Sequence, residues 1–224
     1  LDADCTVAPN YLSALEQHFQ KHPDTSGCSI YFEHPLSGDE REAVYNAITD
    51  FELYLRYYKN AFWWTGFPYA YHTIGSVMAV PCDVYQKVGG MNKQKAGEDF
   101  YFLEKVIYQG NFTELNETCV YPSPRKSLRV PFGTGQAVTD FIEYEQTTLM
   151  VFNPKSYEDF KAFIEAVPHL YHQSGQKSTI TAQFPESIRN FLAQYDFDYQ
   201  LNEALAHASN QSIFLKRFFH WFNA

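Results

Sequence analysis

Val44, Ile48, Phe51, Leu55, Tyr58 and Phe62 recur at alternating steps of four and three along the chain. That spacing is the repeat of a helix surface and puts all six side chains on one stripe. It predicts a long helix from about Asp39 to Asn60 whose apolar side is a core seam. Around it the chain is punctuated by glycine and proline. Tyr11 to Lys21, behind the cap-like pair Pro9-Asn10, reads as a helix with Leu12, Leu15 and Phe19 on one face, stopped by His22-Pro23-Asp24. Cys28 to Glu33 reads as a strand and Pro35 to Gly38 as a turn. His72 to Val80 is an apolar strand candidate that contains Gly75. Pro81 to Val88 reads as a short helix closed by Gly89-Gly90, where glycine supplies the left-handed conformation of a helix end. A further helix runs from Gly97 to about Gln109, stopped by Gly110, and Asn116 to Tyr121 is a strand. From Ala137 onward the pattern is helical, with breaks near Pro154, Pro168 and Pro185. The expectation is a mixed α/β part over residues 1–135 and an all-helical part over 136–224.

The 224 residues suit one domain, or one domain with a helical appendage. A formal charge of -9 argues against nucleic acid as a partner, because phosphate neutralisation needs a surplus of Lys and Arg. The aromatic share of 18%, from 17 Tyr and 20 Phe besides Trp, serves either a core or sugar-stacking surfaces. Cys5, Cys28, Cys82 and Cys119 are widely spaced, with no C-x-x-C pair, and read as mostly buried thiols of a cytosolic protein. Triplets of the N-glycosylation type begin at Asn111, Asn116 and Asn210, but such triplets arise often by chance and carry little weight. No apolar run is long enough to span a bilayer. A first residue of Leu and a helix-like last stretch from Ser212, ending with no cap signal, give the expectation that both ends are cuts in a longer protein.

Three segments carry candidate chemistry. Asp2-Ala3-Asp4 places two carboxylates two residues apart at the end of a presumed strand, where residues i and i+2 point the same way and can reach one hard divalent cation. Solvated loop acids are the common alternative. Gly97-Glu98-Asp99 opens a helix, so its acids either meet unpaired N–H groups of the first turn or supply a general base. Arg125, Lys126 and Arg129 lie on a Pro- and Gly-bearing loop, Pro122 to Gly135, which reads either as built to shape itself around a ligand, with the guanidinium groups of Arg125 and Arg129 suited to phosphate, or as a solvated basic turn.

From Thr73-Ile-Gly-Ser-Val-Met-Ala-Val80 through Tyr85-Gln-Lys-Val-Gly-Gly-Met-Asn92 to Gly97-Glu-Asp-Phe-Tyr-Phe-Leu-Glu-Lys-Val106 and Gly110, the chain resembles the family 2 glycosyltransferases of the GT-A fold. The resemblance covers about residues 1–135, and the Val-Gly-Gly to Gly-Glu-Asp block is its most specific part. It implies a Rossmann-like nucleotide-diphospho-sugar transferase fold, here lacking its N-terminal half, followed by a helical C-terminal region. It further implies metal-dependent, inverting transfer of a sugar from a nucleoside-diphosphate sugar to an acceptor hydroxyl, in bacterial-type polysaccharide or glycoconjugate synthesis. By that resemblance Asp2 and Asp4 contact a manganese or magnesium ion, with Asp4 the closer ligand. Asp99 is the base and Glu98 its acidic neighbour, while Gly75, Ser76, Arg125 and Arg129 meet the substrates.

Three departures from the family pattern stand out. The nucleotide-binding half is missing, so the chain as given is expected to be inactive alone. Gln-x-x-Arg-Trp is lacking, which favours transfer of single residues over polymerisation. No His occupies the Pro122 to Arg129 loop as a metal ligand, and His72, beside an apolar strand, reads as structural.

The expected partners are a nucleoside-diphosphate sugar and a carbohydrate or lipid-linked acceptor. Phe62-Trp63-Trp64 and Tyr69-Ala70-Tyr71 are either acceptor-stacking surfaces or core. Ile213, Phe214, Phe218, Trp221 and Phe222, with Lys216 and Arg217 between them, form either an interfacial helix on a membrane or a packed one. The expected location is cytoplasmic, at the inner face of the membrane if that helix binds there. Two other functions remain open: a sugar-binding or scaffolding module without turnover, and a metal-dependent phosphohydrolase, the latter weakened by the lack of further Asp/His clusters.

Overall fold

The computed structural model describes residues 1–93, 97–126, 133–144 and 150–223. It is a mixed α/β protein whose chain forms two compact units: residues 1–57 with 71–150, and residues 58–70 with 151–224. The boundaries differ from a cut at residue 135. Helix α5 (Thr134–Glu143) belongs to the first unit, because its Val138 is fully buried against Val44, Ala47 and Ile48.

In the first unit, β1 (Thr6–Val7), β2 (Cys28–Phe32), β3 (Met78–Ala79) and β4 (Thr113–Tyr121) form a mixed sheet in the order β1-β4-β2-β3. β2 and β4 run parallel, with Cys28 beside Thr113 and Ile30 beside Leu115. The register then shifts so that Phe32 pairs with Val120. The short outer strands run antiparallel to their neighbours, Thr6 opposite Tyr121 and Met78 opposite Ser29. Ile30, Phe32, Val77, Leu115 and Val120 build the core with Tyr11 and Ala14 of α1 (Tyr11–Lys21). At roughly 25 cal/mol per Å² of apolar surface, burying side chains of this size stabilises by about 1.5–3 kcal/mol each.

The predicted bounds of α1 agree with those observed, but its face does not: Leu12 is 77% exposed, whereas Tyr11, Ala14 and His18 are buried. Asn10 does not cap the helix with its side chain. It reaches β4 instead, donating to the Glu117 carbonyl at 2.8 Å and accepting from the Thr118 hydroxyl at 3.0 Å. α2 (Glu42–Trp64) carries the predicted stripe, of which Val44 and Ile48 are fully buried in the first unit. Tyr58 is exposed at 39%. α3 (Cys82–Lys87) ends on Gly89 and Gly90, whose φ angles of 79° and 69° are left-handed.

The predicted strand His72–Val80 is largely absent. Gly75–Val77 is a 3₁₀ turn closed by the Val77 N–H on the Ile74 carbonyl at 3.1 Å, and only Met78–Ala79 pairs with β2. The Gly75 N–H is taken by a carboxylate rather than by a neighbouring strand, as described below.

The second unit is helical, with α6 (Pro154–His172), α7 (Lys177–Ala182), α8 (Glu186–Leu192), α9 (Phe197–Ala206) and α10 (Gln211–Asn223). Pro154 sits in the first turn of α6, where its missing N–H costs nothing, and Pro185 precedes α8. Pro168, by contrast, lies inside α6 with no break. Val167 and Leu170 beside it are fully buried, and that packing outweighs the roughly 3 kcal/mol an interior proline costs a helix. The core holds Phe163, Phe184, Phe197, Phe214, Phe218 and Phe219. Much of the aromatic excess is therefore structural. Trp221 and Phe222 pack on the same cluster, so the apolar residues of α10 are largely spent inside the unit. Among the described residues no helix is long and apolar enough to cross a membrane.

Candidate functional site

β2 and β4 are parallel, and their carboxyl ends lie at the same edge as the amino ends of β1 and β3. In open α/β sheets that edge is where ligands gather, because the loops leaving parallel strands part there. It receives Asp2 and Asp4 ahead of β1, Gly75 and Ser76 ahead of β3, and Arg125 after β4.

The acidic pair does not stand on a strand. The Cys5 N–H donates to the Asp2 carbonyl at 3.2 Å, so Asp2-Ala3-Asp4 is a turn, and the rule aligning residues i and i+2 of an extended segment does not apply. Arg125 Nε donates to Asp4 Oδ2 at 2.8 Å, joining the two sites that the sequence suggests separately for metal and diphosphate. With the side chains 56% and 36% exposed, this ion pair is screened and contributes at most about 1 kcal/mol. Arg129 lies outside the described residues.

α4 (Glu98–Ile107) opens on Gly97, whose φ of 76° is left-handed. Glu98 and Asp99 are half-buried in its first turn. Asp99 Oδ2 accepts the Gly75 N–H at 2.9 Å and Oδ1 accepts the Phe100 N–H at 2.8 Å. A Cβ on Gly75 would meet both Cβ and Oδ2 of Asp99 at 2.9 Å, so only glycine permits this approach. Gly75→Ala is therefore expected to displace Asp99 and destabilise the first unit by about 1–3 kcal/mol, read as a lower midpoint in urea.

The two acidic segments come close together. Ser76, 7% exposed, lies beside the thiol of Cys5, which follows Asp4, while its neighbour Gly75 holds Asp99. Burial pushes the Cys5 thiol above its ordinary value and the Asp4 and Asp2 carboxylates add to that, against hydrogen bonds from the Asp2 backbone and Ser76. Cys5 therefore remains a thiol near neutral pH, a packing group rather than a nucleophile. Cys5, Cys28, Cys82 and Cys119 are all free, and Cys82 is exposed rather than buried.

For a metal, Asp2 and Asp4 offer exposed hard oxygens of the kind magnesium and manganese prefer. No group of three or more His, Cys, Asp or Glu that could hold a metal ion occurs among the described residues. Asp4 Oδ2 is already taken by Arg125, so an ion at this pair would have to displace that guanidinium. His72 packs edge-on against Phe32, ring centroids 5.2 Å apart. Of the aromatic candidates, Phe62 packs against Phe67, Tyr157 and Phe160. Trp63 and Trp64 are exposed, with Lys161 Nζ 4.1 Å from the Trp64 ring centroid. Tyr71 donates its hydroxyl to the Phe112 carbonyl at 2.9 Å.

The sequence reading missed a charged network at the same sheet edge. Glu52 Oε2 accepts the His34 backbone N–H and Nδ1, each at 2.8 Å, and Glu52 Oε1 accepts Arg56 Nε at 3.0 Å and Nη2 at 2.6 Å. Arg56 Nη2 also donates to the Phe32 carbonyl at 2.7 Å, and its guanidinium lies 5.1 Å from the Tyr31 ring centroid. Burial alone would raise the Glu52 carboxyl, but the hydrogen bonds from His34 and Arg56 outweigh it and hold it at about 2. The legible signal was the spacing of four between Glu52 and Arg56 on a predicted helix. His34 comes from a different element.

Comparison with protein-family models, with characterised proteins and with solved structures finds no match to this chain.

Proposed function

We propose that this chain is the acceptor-side and catalytic portion of a GT-A glycosyltransferase, moving a sugar from a nucleoside-diphosphate donor to an acceptor hydroxyl with inversion. The observation that carries this reading is the meeting of its separated motifs. Arg125 pairs with Asp4, Cys5 meets Ser76, and Gly75 holds Asp99, all at the carboxyl edge of the parallel strands. Asp2 and Asp4 would hold a divalent metal, which when bound supplies positive charge for the departing diphosphate. Arg125 exchanges its partner Asp4 for a donor phosphate, a charge-assisted contact that a guanidinium matches. Asp99 takes the proton of the acceptor hydroxyl; each carboxylate oxygen keeps accepting capacity beyond the backbone N–H it already meets. Glu98 stands beside it toward the acceptor.

The test is calorimetric titration of the full-length gene product with nucleoside-diphosphate sugars, with and without manganese. Asp4→Ala is expected to abolish the manganese-dependent gain in donor affinity. Arg125→Ala is expected to weaken donor binding by about tenfold or more, the loss of one charge-assisted contact. A metal titration unchanged by Asp4→Ala would remove the metal role.

A second reading, a sugar-binding or scaffolding module without turnover, is favoured by one observation. Both Asp99 oxygens already accept backbone N–H groups, as in a purely structural strap. Sugar transfer by the full-length protein separates the two.

A further inference from the structure

A cleft of about 660 Å³ opens beside the Glu52 network, between the carboxyl ends of β2 and β4 and the exposed side of α2. Its size is that of small-molecule sites. Thr49, Glu52, Leu53 and Arg56 face it from α2 at helical spacing, Tyr31 and Tyr121 face it from the strands, and Glu33 from the residue after β2.

The lining selects a chemistry. An anion would meet the Glu33 and Glu52 carboxylates, and two of the Arg56 nitrogens are already committed to Glu52 and the Phe32 carbonyl. A cation would face Arg56. An apolar ligand would strip water from these groups without replacing its hydrogen bonds. A neutral ligand carrying many hydroxyls satisfies all of them. Glu33, held in place by the Tyr31 hydroxyl, accepts; the Arg56 guanidinium donates; the Thr49 hydroxyl, which already donates to the Tyr45 carbonyl, accepts; and the Tyr121 hydroxyl does either. Leu53, 58% exposed at the mouth, and the tyrosine rings suit the apolar C–H face of a sugar ring. His34, 5% exposed, also lines the cleft. Its Nδ1 is fixed by Glu52, and its Nε2 is buried with no hydrogen-bond partner among the described residues, an acceptor or donor still to be met.

We infer that this cleft binds a neutral pyranose ring, as a site of its own beside the acidic one. The inference goes beyond the transfer reading and does not depend on it.

Saturation-transfer NMR on the full chain, with methyl pyranosides of glucose, galactose, mannose and N-acetylglucosamine and no nucleotide or metal, is expected to show transfer to the ring protons of at least one. Leu53→Arg, an exposed substitution that fills the mouth, and Glu33→Gln test the location. Loss of the signal in either supports the site. No transfer with any pyranoside, or transfer that persists in both variants, overturns it. Competition by the reducing monosaccharide separates a free sugar from a carrier-linked glycan as the source of the ring. Asp4→Ala, which tests the donor site, is expected to leave the pyranoside signal unchanged, so failure of one reading is distinguishable from failure of the other.

Discussion

Glu52→Ala is expected to destabilise the first unit by about 3 kcal/mol, the low end of what breaking a buried ion pair costs. The carboxylate holds three groups together: the His34 backbone N–H, the His34 ring and the Arg56 guanidinium. Without it the His34 donors are buried and unpaired, whereas Arg56, with a side chain 31% exposed, recovers water. That asymmetry sets the low end. Glu52→Gln keeps the volume and one acceptor, and is expected to lose less.

The pH dependence has a definite sign. The folded carboxyl sits at about 2 against an ordinary 4.5, so its contribution is fully present above about 4.5 and is lost as the pH falls from there toward 2. After discounting for partial exposure this is on the order of 2 kcal/mol. Loss of that acid-sensitive portion in Glu52→Ala is the accompanying signature. Since Trp63, Trp64 and Trp221 all lie in the second unit, the measurement is amide exchange of β2 and β4, with protection falling about a hundredfold at neutral pH. Unchanged protection would mean that His34 and Arg56 find other partners.

What the sequence discloses here is whatever is decided within a few residues. The ends of α1, the left-handed Gly89 and Gly90, and Gly97 at the head of α4 were each legible, because a stop signal or a positive φ is a local demand. The misreadings have tertiary causes. Gly75 looked like part of a strand because its neighbours are apolar, but the side chain that takes its N–H lies 24 residues away on α4. Leu12 looked like a core residue by its spacing, yet the sheet covers the Tyr11, Ala14 and His18 side of the helix. Pro168 looked like a break, and buried neighbours on either side held the helix through it. The candidate site divides the same way. Its members were named from motif order, but nothing local says that Asp4 meets Arg125, 121 residues away. The Glu52 network joins a residue after β2 to two on α2, a juxtaposition visible only once the helix has packed.

Asp99→Asn carries the largest expected effect on activity. With Asp99 as the base, sugar transfer by the full-length protein falls by about 10²–10⁴-fold while donor binding is retained, since proton acceptance contributes that much and takes no part in holding the donor. The structure adds a complication that the motif alone would hide. Both carboxylate oxygens accept N–H groups, from Gly75 and Phe100, so an amide nitrogen at position 99 would turn one donor toward another. The Asp99→Asn substitution therefore also costs about 1–3 kcal/mol of local stability, and a fall in rate by itself would not separate a base from a strap. Comparison with Gly75→Ala does. That substitution moves Asp99 through a Cβ placed 2.9 Å from it but keeps the carboxylate. A base predicts a much larger loss of rate in Asp99→Asn than in Gly75→Ala at matched loss of stability, whereas a strap predicts equal losses. If the two losses are equal, Asp99 is a positioning residue for the Gly75 turn, and the base must be sought in its half-buried neighbour Glu98.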